Sequence, residues 1–165
     1  MARYLFDSSA LAKRYHPEVG TTKVLAIFAA PDREVRISKL SFVEVQSVFA
    51  MKVRGGVINQ GEAGALRTRL MADIAAGDIE VFDMTADHFA TAERLIGRHS
   101  FSHRFRTLDA LQLAVALDLS NQGLLDYFVV ADKALGGVAT IEGLPVLTDY
   151  RLTDYRLKAG RFESD

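Results

Sequence analysis

The sequence predicts an α/β protein with a mostly parallel central sheet of about five strands flanked by helices. Three observations carry this expectation. Short runs rich in aromatic and β-branched residues alternate with segments whose apolar residues recur at helical spacing. Strands separated in this way by helices form parallel sheets covered on both faces. The segment from Thr107 to Leu119 is apolar nearly all round, as a helix buried against such a sheet must be. The chain has 165 residues, 49% hydrophobic and 25% charged, which excludes a mostly disordered polypeptide. A chain of this length fits one domain, expected over 1–165 with a core from about 3 to 147 and a peripheral tail at 148–165.

Taken in order, Arg3–Phe6 reads as a short strand ending at Asp7, and Ser8–Tyr15 as a helix stopped by Pro17. Glu18–Ala30 carries Val24, Leu25 and Phe28 at helical spacing up to Pro31, and Glu34–Ser38 is a second strand. From Lys39 the apolar residues Phe42, Val45 and Phe49 predict a helix running to Gly55-Gly56. Asn59, with Glu62 three residues on, caps the next helix, which ends near Gly77. Ile79–Phe82 is a strand and Thr85–His99 a helix with Phe89, Ala92 and Ile96 on one face. A polar loop to Arg106 precedes the apolar helix, for which Thr107 is the expected cap. Tyr127–Val130 is a strand, Lys133–Ile141 a helix and Pro145–Leu147 the last strand. The tail repeats five residues, Thr148–Leu152 followed by Thr153–Leu157, which reads as a local duplication.

Composition narrows the chemistry. The absence of Cys excludes a disulfide framework, thiolate zinc sites and a cysteine nucleophile, and fits a reducing cytoplasm. The apolar run at the N-terminus is too short for a signal peptide, being broken by Asp7, and no segment is long enough to span a membrane. With 20 Lys+Arg against 21 Asp+Glu, no net field draws the protein onto a polyanion. Any nucleic acid must be held by a local patch or by metal ions. His16, His88, His99 and His103 lack the spacing of zinc ligands and are expected on the surface or in loops. Leu11, Val24, Leu25 and Phe28 in the first helices are expected to leave apolar surface for association.

Four carboxylates interrupt apolar runs or stand where a strand gives way to a helix: Asp7, Glu44, Asp109 and Asp132. Singly, Asp7 and Asp132 read as helix N-caps, and Asp109 as a first-turn acid complementing the helix dipole. Glu44 has Leu40, Ser41, Ser47 and Val48 as its helical neighbours and so lacks a cationic partner on its own helix. Together they read differently, because ligand sites of open parallel sheets lie beyond the carboxyl ends of the strands. Carboxylates crowded there resist ionising unless a divalent cation neutralises them, and oxygen-only ligands suit Mg2+ or Mn2+. Such ions activate water for phosphodiester hydrolysis. Lys13, Arg14, Arg104, Arg106 and Lys133 flank these acids and are candidate phosphate contacts.

These residues resemble the PIN-domain family, and within it the toxins of VapC-type toxin–antitoxin pairs, over roughly Tyr4 to Leu147. Leu5-Phe6-Asp7-Ser8-Ser9-Ala10-Leu11 looks like the family's opening strand with its first Asp and following hydroxyl. Ser38 to Glu44 looks like the second motif, and Arg106-Thr107-Leu108-Asp109-Ala110 is the most specific match. Val129-Val130-Ala131-Asp132-Lys133 resembles the fourth motif but has Val130 where the family often carries Ser or Thr. The resemblance implies a three-layer fold, Mg2+- or Mn2+-dependent ribonuclease activity, a homodimer and a cognate antitoxin. It implies Asp7 and Asp109 as direct metal ligands, Glu44 as a direct or water-mediated one, and Asp132 as holding a second ion or orienting the attacking water. Ser8 or Ser9 would support the acids or touch phosphate, and Arg106 and Lys133 would contact the substrate. Two other readings fit the same motifs: a non-catalytic PIN-like module binding RNA or protein, and an RNA-processing nuclease that is not a toxin.

Overall fold

The computed structural model describes residues 1–148, together with the backbone of 155–158 and 161–164. Strands β1 (Ala2–Phe6), β2 (Arg33–Ser38), β3 (Glu80–Phe82), β4 (Tyr127–Val129) and β5 (Val146–Leu147) form one sheet in the order β3-β2-β1-β4-β5. Every pairing in it is parallel. Seven helices connect or flank the strands: α1 (Ser8–Tyr15), α2 (Thr21–Ala29), α3 (Lys39–Arg54), α4 (Gln60–Ala75), α5 (Ala86–His99), α6 (Thr107–Asn121) and α7 (Lys133–Ile141). The α/β class, the five parallel strands and the covering helices match the sequence expectation. The backbone of β6 (Tyr155–Lys158) and β7 (Arg161–Ser164) pairs antiparallel in a separate two-stranded sheet. The sequence reading assigned no strands there, and the repeated pentapeptide lies largely outside the described residues. Among the described residues no helix is long and apolar enough to cross a membrane.

The alternation of side chains along a strand divides the interior into two cores. Leu5 of β1 and Phe128 of β4 join residues of α5, α6 and α7 on one face. Tyr4 and Phe6 of β1, Val35 and Ile37 of β2 and Val129 of β4 join residues of α1, α2, α3 and α4 on the other. Helix α6 is buried continuously from Ala110 to Ala116, as its composition requires. Leu11, Val24 and Phe28 belong to the second core and are at most 5% exposed, whereas Leu25 is 41% exposed. The first helices therefore spend most of their apolar surface inside the chain, and the expectation of spare surface there does not hold.

Two helix boundaries differ from expectation for local reasons. α2 begins at Thr21 because Gly20 sits at φ 92°, a left-handed conformation that glycine takes readily and that ends helical continuity toward Glu18. Thr107 is the first residue of α6 and does not cap it; the N-cap is Arg106, whose backbone N–H donates to Asp109 at 2.9 Å. The cap expected of Asn59 is present in full. Glu62 donates its N–H to Asn59 Oδ1 at 2.9 Å, and Asn59 donates its own to Glu62 Oε2 at 2.7 Å.

Chain order fixes where a site can form. From the central strand β1 the chain builds outward through β2 and β3, then returns to add β4 and β5 on the other side. The reversal lies between β1 and β4, and crevices of open α/β sheets form at such a point beyond the strand carboxyl ends. Truncation of Phe128, fully buried at the middle of β4, is expected to cost about 3–5 kcal/mol. Asn59→Ala, which removes an exposed cap, should cost only about 1 kcal/mol. Urea denaturation of both variants checks the contrast.

Candidate active site

Asp7 follows the last residue of β1, and Asp132 lies three residues beyond the end of β4. The two strand ends are tied together, since Asp7 donates its N–H to Val129 O at 3.0 Å. Ser9 adds a second tie. Its Oγ donates to Asp7 Oδ2 at 2.5 Å and accepts from the Ala131 N–H at 3.2 Å. The hydroxyl that reaches the end of β4 is thus Ser9's, while Val130 packs in the core at 1% exposure. Ser8 is buried at the start of α1.

Three of the four acids cap helices. Asp7 Oδ2 also accepts the Ser9 N–H at 3.1 Å at the head of α1. Asp132 Oδ1 accepts the N–H groups of Ala134 and Leu135 at 2.8 and 3.0 Å at the head of α7. Asp109 Oδ2 accepts the Arg106 N–H at the head of α6. The cap reading and the site reading do not compete, because these bonds fix each rotamer through one carboxylate oxygen.

Glu44 is held differently, by a side chain that the sequence reading passed over. Gln112, 1% exposed, donates from Nε2 to Glu44 Oε2 at 2.8 Å and to Ser41 Oγ at 2.6 Å. Its Oε1 accepts from Ser38 Oγ at 2.7 Å. Two signals in the sequence mark it. It is the one polar residue in the run Ala110–Ala116, and it stands three residues after Asp109, on the same helical face.

The electrostatics group the acids in two pairs. Burial pushes the Asp7 carboxyl up to about 6, with the Ser9 hydrogen bonds opposing and the nearby Glu44 charge adding to the rise. Burial also raises Asp109, with the Arg106 N–H opposing and the charge of Asp132 adding to the rise, while Arg106 and Arg104 work against it. Asp109 and Asp132 line a cleft of about 290 Å³ together with Arg104, Arg106 and Lys133. A larger cavity, about 640 Å³, opens at the other end of the sheet beside Arg33, Glu34, Asp78 and Glu80. Its charges are matched there, by Arg33–Asp78 at 3.0 Å, Arg36–Glu34 at 2.7 Å and Arg36–Glu80 at 3.0 Å.

Among the described residues, no three His, Cys, Asp or Glu side chains gather into a metal-binding cluster. The donors still suit a hard divalent cation by type. All are carboxylate oxygens, and the like-charge repulsion within each pair is the cost that such an ion would offset.

Several flanking residues are committed elsewhere. Arg14 pairs with Asp73 of α4 at 3.0 Å and lies 4.1 Å from the Phe28 ring centroid. Lys13 is buried and donates to Val19 O at 2.5 Å. His88 and His99 are buried, contrary to expectation. His88 Nδ1 accepts the Thr85 N–H at 2.9 Å, and His99 Nε2 lies 2.5 Å from Glu142 Oε1. Both close helix ends, which explains burial without metal ligation.

A family model for the PIN domain matches residues 4–122. The chain belongs to the PIN domain family. The matched stretch contains Asp7, Glu44 and Asp109 and ends before Asp132. Among solved structures this PIN domain is similar to VapC20 of Mycobacterium tuberculosis, a toxin described as cleaving the sarcin–ricin loop. The TM-score is 0.62 at 18% identity, over 86% of this chain and 95% of that one. It is also similar to FitAcB from Neisseria gonorrhoeae (TM-score 0.59, 20% identity, 90% of this chain and 99% of that one). A third is VapBC2 from Rickettsia felis bound to a DNA fragment from its promoter (TM-score 0.59, 14% identity, 88% and 98%). At these identities the likeness is one of fold. No curated protein matches the sequence.

The burial of Asp7 has a consequence for stability. A carboxyl titrating near 6 when folded, against an ordinary 3.8, binds its proton more tightly folded than unfolded. Stability therefore falls as pH rises from about 4 to about 6 and levels off above. Asn caps a helix as well as Asp and does not ionise. Between about pH 4 and about pH 7, urea unfolding should shift in favour of Asp7→Asn over wild type by about 3 kcal/mol. Parallel profiles for the two proteins would show that Asp7 is hydrated as an ordinary surface acid.

Proposed function

We propose that this PIN domain is a metal-dependent endoribonuclease that hydrolyses RNA phosphodiester bonds in the cytoplasm, as the toxin of a toxin–antitoxin pair. The observation that carries the reading is the buried Asp7 carboxyl with Glu44 beside it, at the point where the strand order reverses. Two further acids share a cleft with three cationic side chains. Membership of the PIN family supports the nuclease class. The toxin reading draws on the fold shared with a toxin that cleaves the sarcin–ricin loop and with a toxin–antitoxin complex from Klebsiella pneumoniae. A homodimer and a cognate antitoxin partner belong to the same proposal.

Asp7 and Asp109 would hold Mg2+ or Mn2+ directly, Glu44 directly or through water, and Asp132 at a second position. Such an ion supplies Lewis-acid activation of water and neutralises charge on phosphoryl oxygens. The chain's own residues do the rest. Ser9 holds Asp7 against the end of β4. Arg104, Arg106 and Lys133 line the cleft as cationic contacts for substrate phosphates. If Asp132 does not hold a second ion, it would orient the attacking water.

Purified protein incubated with RNA in EDTA, Mg2+ and Mn2+ should cleave only with metal. Asp7→Asn and Asp109→Asn should lower the rate by at least about 10²–10³ while the circular dichroism stays that of wild type. Metal at a hundredfold excess over Kd should stabilise wild type by about 2.7 kcal/mol. Equal cleavage by the variants, or identical melting in all three buffers, would leave the non-catalytic module as the better description. Growth arrest on expression, relieved by the product of a short neighbouring gene with a DNA-binding N-terminus, separates a toxin from an RNA-processing nuclease.

A further inference from the structure

Gln112 closes a buried network whose hydrogens can be assigned one by one. Ser38 Oγ accepts the Ser41 N–H at 2.9 Å, which leaves its own hydrogen for Gln112 Oε1 at 2.7 Å. The Glu44 carboxylate can only accept, so the amide atom facing it must be Nε2, which leaves Oε1 toward Ser38. One Nε2 hydrogen goes to Ser41 Oγ at 2.6 Å and the other to Glu44 Oε2 at 2.8 Å. Ser41 passes its hydrogen to Phe6 O at 3.2 Å, the carbonyl immediately before Asp7. Ser38, Ser41 and Gln112 are each at most 1% exposed. The network joins the end of β1, the head of α3 and the face of α6 that also carries Asp109.

An apolar side chain of similar volume would satisfy the packing demands of this position. What the amide adds is a donor at Glu44 Oε2 and an acceptor that keeps the donor from turning away. We propose that Gln112 is a positioning residue: it locks Glu44 in one rotamer beside Asp7 and so presets the spacing of that acid pair. The functional consequence rests on the nuclease reading above; the positioning itself does not. Partners that orient metal-binding side chains typically affect metal affinity by about 10–100-fold. Gln112, which touches neither RNA nor metal in this reading, should act only through Glu44.

The test uses the full chain with Gln112→Met, close in volume and without a donor, and with Gln112→Leu, also apolar and without a donor. In metal-free protein, NMR side-chain couplings of Glu44 should report one rotamer in wild type and averaging in both variants. If one variant fails to fold, the other suffices. In Mn2+ titrations without RNA, Gln112→Met should bind about tenfold more weakly. The same change in a Glu44→Gln background should bring no further loss. A Glu44 that keeps its single rotamer in a folded variant overturns the inference, as does an equal loss of affinity in the Glu44→Gln background, because either marks Gln112 as ordinary core packing. Should wild type bind no Mn2+ while Glu44 loses its rotamer in the variants, the positioning role stands and the metal reading falls.

Discussion

The carboxylate at the end of the central strand sets the terms for the rest of the molecule. β1 is paired on both edges and covered on both faces, so Leu5 and Phe6 are fully buried and deliver Asp7 into a place with almost no water. A charge there is costly unless something compensates it. The compensation is local: two hydrogen bonds from Ser9, the backbone N–H of Ser8 and the positive end of α1. Placing Glu44 beside such a group works against stability. That repulsion is the cost a bound cation would offset.

The three capping aspartates show how a cap also fixes a carboxylate. Asp7, Asp109 and Asp132 each stabilise a helix start through one oxygen, and the same bonds orient the carboxylate without mobile side-chain partners. Helix starts collect at the carboxyl edge because each parallel strand hands over to a helix there. The cationic residues follow the same geometry. Arg104 and Arg106 lie in the turn before α6, and Lys133 is the first residue of α7, so charge of both signs meets in one cleft. Size plays no part in this, since the larger cavity at the opposite edge has its charges matched within the protein.

Glu44 is the exception, and its exception gives Gln112 its role. It lies within α3, beyond the capping positions, and cannot be fixed by backbone donors. A buried amide on another helix takes their place. Two helices and a strand end thereby become one polar unit inside an apolar core. Such networks favour one arrangement strongly when every member is satisfied and become unstable when one is lost.

Up to β5 the sequence alone determined the order of strands and helices, because period and punctuation report local backbone preference. It also marked the four acids, since a carboxylate inside an apolar run is a local anomaly whatever surrounds it. Four motifs in order were enough to suggest the PIN family, which the family match then established. Only the tertiary structure decided which acids are neighbours. Asp7 meets Glu44 across 37 positions of the chain, by difference of their numbers, and Asp109 meets Asp132 across 23. Which acids come together is set by sheet order. It likewise decided that Arg14 belongs to Asp73 and that Leu11, Val24 and Phe28 are interior. Gln112 was visible in the sequence as a polar residue in an apolar helix, but its partners lie 68 to 74 residues away. A side chain's hydrogen-bond partners are fixed by packing, which a local pattern does not contain.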